Sequence, residues 1–259
     1  MLISFQLPNK IKVVVAASHN LYLPRLVSSE GIGKYEALSM AAFLACAEDR
    51  AGSVIDIGAN VGLYALMAAS GLRSNVVAVE PFSPASGVLK TIVQKYDLPI
   101  KVIDAAVSDE IGVDELHIST QSDMSNSLNP DFRKNSRKIG VVTTTIDEIC
   151  VRIKPSAIKI DVETLEEKVL TGAQKTIKRD RPALLIEVID DRVGAALQKL
   201  AKDHNYHTIK IGDPNFASRF DIPDYDNSGD LRNWLLLPDQ PGERFFRRTH
   251  EWVNFNQKL

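Results

Sequence analysis

The feature that most constrains this chain is an alternation between residues 34 and about 211, where short β-branched runs take turns with segments whose apolar positions recur every three or four residues. "KYEALSMAAFLACAED" (34–49) has the helical period, "SVIDI" follows as a strand, and a second helix runs from Val61 to near Gly71. "NVVAVE" (75–80) is the next strand, and "SPASGVLKTIVQKY" opens a helix with Ser83 as N-cap and Pro84 at the first helical position. Further strands are "IKVIDAAV" (100–107), "SAIKIDV" (156–162), "ALLIEV" (183–188), "YHTIKIG" and "NWLLLP" (233–238). Two helices separate them: "ETLEEKVLTGAQKTIKR", and "RVGAALQKLAKDHN" capped by Asp190 or Asp191. Buried strands alternating with helices predict a doubly wound α/β fold, its mostly parallel sheet covered on both faces and ligands held at the carboxyl ends of the strands. Between the third and fourth strands, "VDELHIST" and "KIGVVTTTI" switch to period two and predict an inserted β-hairpin with a long polar tip. The expected division is a β-rich extension over 1–33, the main domain over 34–238 and a tail over 239–259.

Composition narrows the function classes. With 259 residues, 44% hydrophobic and 25% charged, the chain can bury a large core. A formal charge of -2 leaves no basic field for a polyanion, so nucleic acid is not an expected partner. No stretch of 18 apolar residues exists to span a membrane, and the opening residues lack a basic leader, which implies a soluble, cytoplasmic protein. Cys46 and Cys150 form no CxxC pair and fit reduced structural thiols. The five histidines, His19, His117, His204, His207 and His250, build no metal motif, and two nearby acids, Asp161 and Glu163, are far from a full ion site, so no metal is expected. Neither a G-x-S-x-G elbow nor a P-loop is present.

The segment "SVIDIGANVGLYALMAAS" (53–70) runs from a strand through an acid and a glycine into a helix. Small turn residues let backbone approach a ligand, and the unpaired N–H groups of the new helix suit a carboxylate or phosphate. A dinucleotide fingerprint needs a second glycine where Asn60 stands, so a pyrophosphate is poorly served. Glu80, twenty-four residues after Asp56, ends the second strand as an acid placed for both hydroxyls of a ribose. Gly58 and Gly62 alone would equally serve tight strand-to-helix packing. Asp56 and Glu80 together favour a nucleoside without pyrophosphate.

"VIDIGANVGLYAL", "VVAVEP", "AAVSDEIG", "MSNSL", "TTTIDEI", "IKIDVETLEEKVLTGA" and "RPALLIEV" follow one another in an order that resembles the FkbM family of S-adenosylmethionine-dependent methyltransferases, over about residues 36–190. The resemblance implies a Rossmann-like class I fold with seven strands, S-adenosyl-L-methionine as donor, and hydroxyls of sugars or polyketide-like secondary metabolites as acceptors. By it, Asp56, Gly58 and Asn60 line the methionine end of the cofactor, and Glu80 holds the ribose. Turn amides can bind the methionine carboxylate and Asp56 its ammonium. Asp104 is placed for the adenine amino group, or as a turn cap, and Glu36 for the methionine moiety, or as a solvated helix acid.

In-line methyl transfer needs an aligned acceptor oxygen and a group to take its proton. Asp161 and Glu163 are the catalytic candidates, Asp161 first, although Glu163 with Glu166 and Glu167 can equally favour a helix N-terminus. Asn126 and Ser127, in the "MSNSL" loop, and Glu187 are candidates for acceptor hydroxyls. Family members usually read D-V-E-G-A-E where this chain has Asp161-Val162-Glu163-Thr164-Leu165-Glu166, so Thr164 stands at a glycine position beside the expected reaction centre. The polar loop 121–138 suits either a lid or a solvated tip, and the basic, aromatic tail either a binding surface or a segment folded across the sheet. Two other functions remain open at this level: a nicotinamide-dependent oxidoreductase, and a non-catalytic nucleoside-binding or assembly protein.

Overall fold

In the computed structural model, residues 1–18, 20–120, 122–132, 134–220 and 230–259 are described; His19, Gln121 and much of the 212–232 loop singled out in the sequence fall outside them. The chain opens with an antiparallel hairpin, β1 (Leu2–Gln6) and β2 (Lys12–Ala16), and the helix α1 (Tyr22–Glu30). It continues through α2 (Ala37–Glu48), β3 (Ser53–Ile57), α3 (Leu63–Met67), β4 (Val76–Val79), α4 (Ser83–Tyr96) and β5 (Ile100–Ile103). A small three-stranded sheet interrupts the alternation: β6 (Ala106–Val107), β7 (Gly112–Ser119) and β8 (Asn135–Thr144). Then come α5 (Ile146–Ile149), β9 (Pro155–Ile160), α6 (Glu166–Thr171), α7 (Gln174–Asp180), β10 (Ala183–Glu187), α8 (Asp191–His204), β11 (His207–Lys210), α9 (Pro214–Ala217), β12 (Asn233–Leu237) and α10 (Glu243–Asn256).

The main sheet has seven strands in the order β11-β12-β10-β9-β3-β4-β5, and β12 alone runs antiparallel to both its neighbours. Chain order reverses between β3 and β9, so the carboxyl ends of β3, β4 and β9 frame a crevice where a ligand can enter. β9 is buried at every position, as a central parallel strand covered on both faces must be. On one face Val54, Ala157 and Leu185 pack under α2, α3 and α4; on the other, Ile55, Ile158 and Ile186 pack against α6, α7 and α8. The tail folds as α10 directly over α2. Sandwiched between sheet and α10, α2 buries every residue from Leu38 to Ala47, which is why its sequence is apolar on all sides.

Several boundaries differ from the sequence expectations, each for a local reason. The run "IKVIDAAV" is two strands, because the chain leaves the main sheet at Asp104 and β6 pairs with β8 in the smaller sheet. The single helix expected after β9 is broken: Glu163 and Thr164 have left-handed backbone, α6 begins only at Glu166, and Gly172 separates it from α7. A side chain at Gly172 would strike the Ser108 carbonyl, 2.3 Å from its Cβ position. Ser83 lies inside α4 rather than capping it, Phe82 taking the N-cap position. Glu36 has φ 43 and precedes α2, so the helix expected from Lys34 starts at Ala37. Asp190 caps α8 as anticipated, accepting from the N–H groups of Arg192 and Val193. The inserted hairpin forms, with β7 and β8 antiparallel over almost their full length.

Candidate active site

At the end of β3 the chain turns through Gly58 (φ 73), Asn60 (φ 51) and Gly62 (φ 84). Gly58 is required here by contact as well as by φ: a Cβ would lie 1.7 Å from the Asp161 carbonyl oxygen. The ends of β3 and β9 therefore touch backbone to backbone, tied by the Asp161 N–H to the Ile57 carbonyl at 3.1 Å. Glu80, just past β4, grips the turn by accepting from the Asn60 N–H (2.8 Å) and the Phe82 N–H (2.8 Å). Burial pushes its pKa up to about 7, against the pull of those two N–H groups. An ionised carboxylate has about four acceptor positions, so two remain for hydroxyl donors.

Beneath the turn lies a floor of buried charge. Lys159, 5% exposed, donates to Asp161 Oδ2 at 2.9 Å, and its Nζ sits 4.9 Å from the Tyr64 ring centroid. Burial works against its charge, but Asp161, Asp56 and Glu36 outweigh that and raise its pKa. The Tyr64 hydroxyl donates to Glu36 Oε2 at 2.7 Å, and burial raises Glu36 to about 7 with Lys159 opposing. Asp56 accepts from the Ala65 N–H at 3.0 Å through Oδ2, while its buried Oδ1 has no hydrogen-bond partner among the described residues. Burial raises its pKa too, Lys159 pulling the other way.

The rim comes from the loop after β9 and from the hairpin. Ser127 Oγ donates to the Glu163 carbonyl at 2.7 Å, and Asn129 Nδ2 to Thr164 Oγ1 at 2.9 Å. Asn126 Oδ1 accepts from the Ser119 N–H at 2.9 Å, leaving its buried Nδ2 without a partner among the described residues. At the end of β10, Glu187 is raised to about 10 by burial first and then by Asp161 and Glu163. Carboxylate oxygens of Asp161, Glu163 and Glu187 lie within 4.8 Å of one another, so the structure adds a third acid to the pair seen in the sequence.

These elements line a cleft that is partly open to solvent. Of the residues singled out in the sequence, Gly58, Asn60, Glu80, Asn126, Ser127, Asp161 and Glu163 line it. Asp56, Glu36 and Glu187 stand behind that lining, in electrostatic reach of Lys159 or Asp161. Asp104 is the outlier. It does not line the cleft, and its carboxylate accepts from Ser86 (2.8 Å) and pairs with half-exposed Lys90 on α4.

Sequence reasoning missed Tyr35, Tyr64 and Lys159, all of which line the cleft. Lys159 left one trace, a lysine inside the otherwise apolar run "AIKI", since a lysine is rarely buried without a carboxylate partner. Leu23 of α1 also reaches the cleft, so the extension takes part in it.

A seven-stranded sheet with one antiparallel strand, an acid-glycine turn after β3 and an acid after β4 define a Rossmann-like methyltransferase of class I. The chain belongs to the FkbM methyltransferase domain family, which matches residues 56–208. The donor in this family is S-adenosylmethionine. Among curated proteins none matches the sequence. Similar solved structures include a methyltransferase FkbM from Methylobacillus flagellatus KT, 18% identical with a TM-score of 0.48 over 71% of this chain, which spans 43% of that protein. A precorrin-6y C5,15-methyltransferase from Geobacter metallireducens is 11% identical, with a TM-score of 0.43, 75% of this chain and 78% of that one being covered. A tRNA (uracil-54, C5)-methyltransferase from Pyrococcus abyssi, in complex with S-adenosyl-L-homocysteine, is 8% identical with a TM-score of 0.45, covering 91% and 43% respectively. No helix among the described residues is long and apolar enough to cross a membrane.

Proposed function

We propose that this methyltransferase takes its methyl group from S-adenosyl-L-methionine and delivers it to a hydroxyl of a sugar, glycoside or polyketide-like secondary metabolite. The observation that carries the donor half is Glu80, a buried carboxylate holding the Asn60 N–H across the turn with acceptor capacity left for ribose hydroxyls. The cofactor supplies an electrophilic methyl carbon on a cationic sulfur. The turn amides expected to bind the methionine carboxylate are already engaged, Gly58 and Ala59 N–H by the Val79 carbonyl and Asn60 N–H by Glu80, while the acid floor of Asp56, Asp161 and Glu36 favours cationic groups over anionic ones. Asp56 acts on the methionine ammonium from beneath, through its unpartnered Oδ1 or a water. Adenine packs between Pro81, Ala105 and Leu116, with no carboxylate from Asp104.

Asp161 serves as base for the acceptor hydroxyl, oriented by its ion pair with Lys159. Glu163 and Glu187 flank it, and Asn126 and Ser127 offer small polar groups to the acceptor. A positioned base contributes typically ~10²–10⁴ in rate, and alignment a comparable or larger factor. The buried, unpaired thiols Cys46 and Cys150 suit the reducing cytoplasm.

Calorimetry with S-adenosylhomocysteine tests the donor half, and no binding at high micromolar ligand by folded protein sinks it. A fluorescence titration with reduced nicotinamide dinucleotide tests the oxidoreductase alternative, which Asn60 in the second-glycine position disfavours. For the acceptor, methyl transfer screened against glycosides and macrolides should find a substrate on which Asp161→Asn abolishes turnover while cofactor binding persists. Cofactor binding by wild type without turnover on any acceptor would favour a non-catalytic nucleoside-binding or assembly protein of the same fold.

A further inference from the structure

The loop that carries both rim carboxylates, residues 161–165, has an unusual backbone. Two consecutive residues that are not glycine, Glu163 (φ 58) and Thr164 (φ 82), occupy the left-handed region, where a β-branched side chain is strongly disfavoured. Glycine stands in Thr164's place in the sequences this chain resembles, and glycine adopts that φ without strain. Something else must therefore hold the turn here.

The hairpin loop supplies it. Asn129 Nδ2 donates to Thr164 Oγ1 at 2.9 Å, and Thr164 is only 7% exposed, so this hydroxyl contact is shielded from water. The Asn129 amide is itself fixed, because its Oδ1 accepts from the Asp131 N–H at 3.1 Å. Its backbone N–H donates to Ser127 Oγ at 3.0 Å, and that same hydroxyl donates to the Glu163 carbonyl at 2.7 Å. From the opposite side Glu166 accepts from the Val162 N–H at 3.0 Å. The left-handed pair is thus gripped at Glu163 and Thr164 from the hairpin and at Val162 from α6.

We propose that Asn129 is a positioning residue that clips Thr164 into its left-handed turn, so that Glu163 and Asp161 keep their places on the cleft. The inference rests on the reading of this cleft as the S-adenosylmethionine site. Its physical content is a population. Without the clip the strained turn relaxes in most molecules, and a ligand that needs the clipped form binds more weakly in proportion to the fraction that retains it. With glycine at 164 the turn costs nothing to hold, and the clip becomes dispensable.

A double-mutant cycle read by calorimetry with S-adenosylhomocysteine, with thermal unfolding in parallel, tests this. Asn129→Ala should weaken binding about tenfold, the worth of one buried hydrogen bond. In a Thr164→Gly background the same change should cost less than about threefold. Thr164→Val, which keeps the shape and removes the hydroxyl, should weaken binding as Asn129→Ala does, and it gives the same test if Asn129→Ala does not fold. Equal losses from Asn129→Ala in both backgrounds, or wild-type affinity in Thr164→Val, overturn the clip. Wild-type protein that binds no S-adenosylhomocysteine overturns the reading of the cleft instead.

Discussion

Replacing Gly58 by alanine probes the contact on which the whole cleft is built. The residue has φ 73, and its Cβ position lies 1.7 Å from the Asp161 carbonyl oxygen and 2.8 Å from the carbonyl carbon. Both atoms are backbone, tied back to β3 by the Asp161 N–H, so no rotamer change can make room. Left-handed backbone costs an alanine roughly 1–2 kcal/mol. Forcing a methyl into filled space adds about 1–3 kcal/mol. Gly58→Ala should therefore lose about 2–5 kcal/mol in urea unfolding. Because the strain is relieved by pushing the Asp161 loop off the turn, calorimetric affinity for S-adenosylhomocysteine should fall as well. Gly87→Ala is the control: it lies in α4 with nothing within 4 Å of its Cβ position, and should gain about 0.5–1 kcal/mol from helix propensity. A Gly58→Ala protein within about 0.5 kcal/mol of wild type would refute the close approach of β3 and β9.

Glu36, Glu80 and Glu166 are each raised by burial from 4.5 to about 7, so over that window the folded state holds protons the unfolded chain has released. Ligand-free stability should accordingly fall as pH rises from about 4.5 to about 7, seen as a declining urea midpoint, and Glu80→Gln should flatten the slope; a rising midpoint would contradict it. The carboxylates whose pKa is lowered, Asp104, Asp190 and Asp203, act below that window and cannot reverse its sign. Asp104→Ala should reduce S-adenosylhomocysteine affinity at least tenfold less than Glu80→Ala does, because one carboxylate faces Lys90 and the other the cleft. Once an acceptor is found, Asp161→Asn should cut turnover by about 10²–10⁴ with cofactor affinity retained, and unchanged turnover would remove Asp161 as base.

The alternation of periods made the doubly wound sheet legible, because buried parallel strands and amphipathic helices write different patterns. The turn at Gly58 and the acid at Glu80 were legible for the same reason, being local punctuation at strand ends. What escaped depends on contacts distant in sequence. Asp104 ends its strand in the expected place, yet Ser86 and Lys90, one helix away, claim its carboxylate. Thr164 at a glycine position marked the loop after Asp161, but not what holds its left-handed backbone, which is Ser127 and Asn129, 35 or more residues upstream. α2 is apolar on all sides because α10, from the far end of the chain, covers the face that the sheet does not.

Titrating S-adenosylhomocysteine into wild type and Glu80→Ala by calorimetry tests the central claim most directly. The account predicts one site on the wild-type chain, with affinity at least tenfold weaker in Glu80→Ala, as the loss of charge-assisted hydrogen bonds to ribose requires. Absence of binding by folded wild type, or equal affinity in the two proteins, would contradict it.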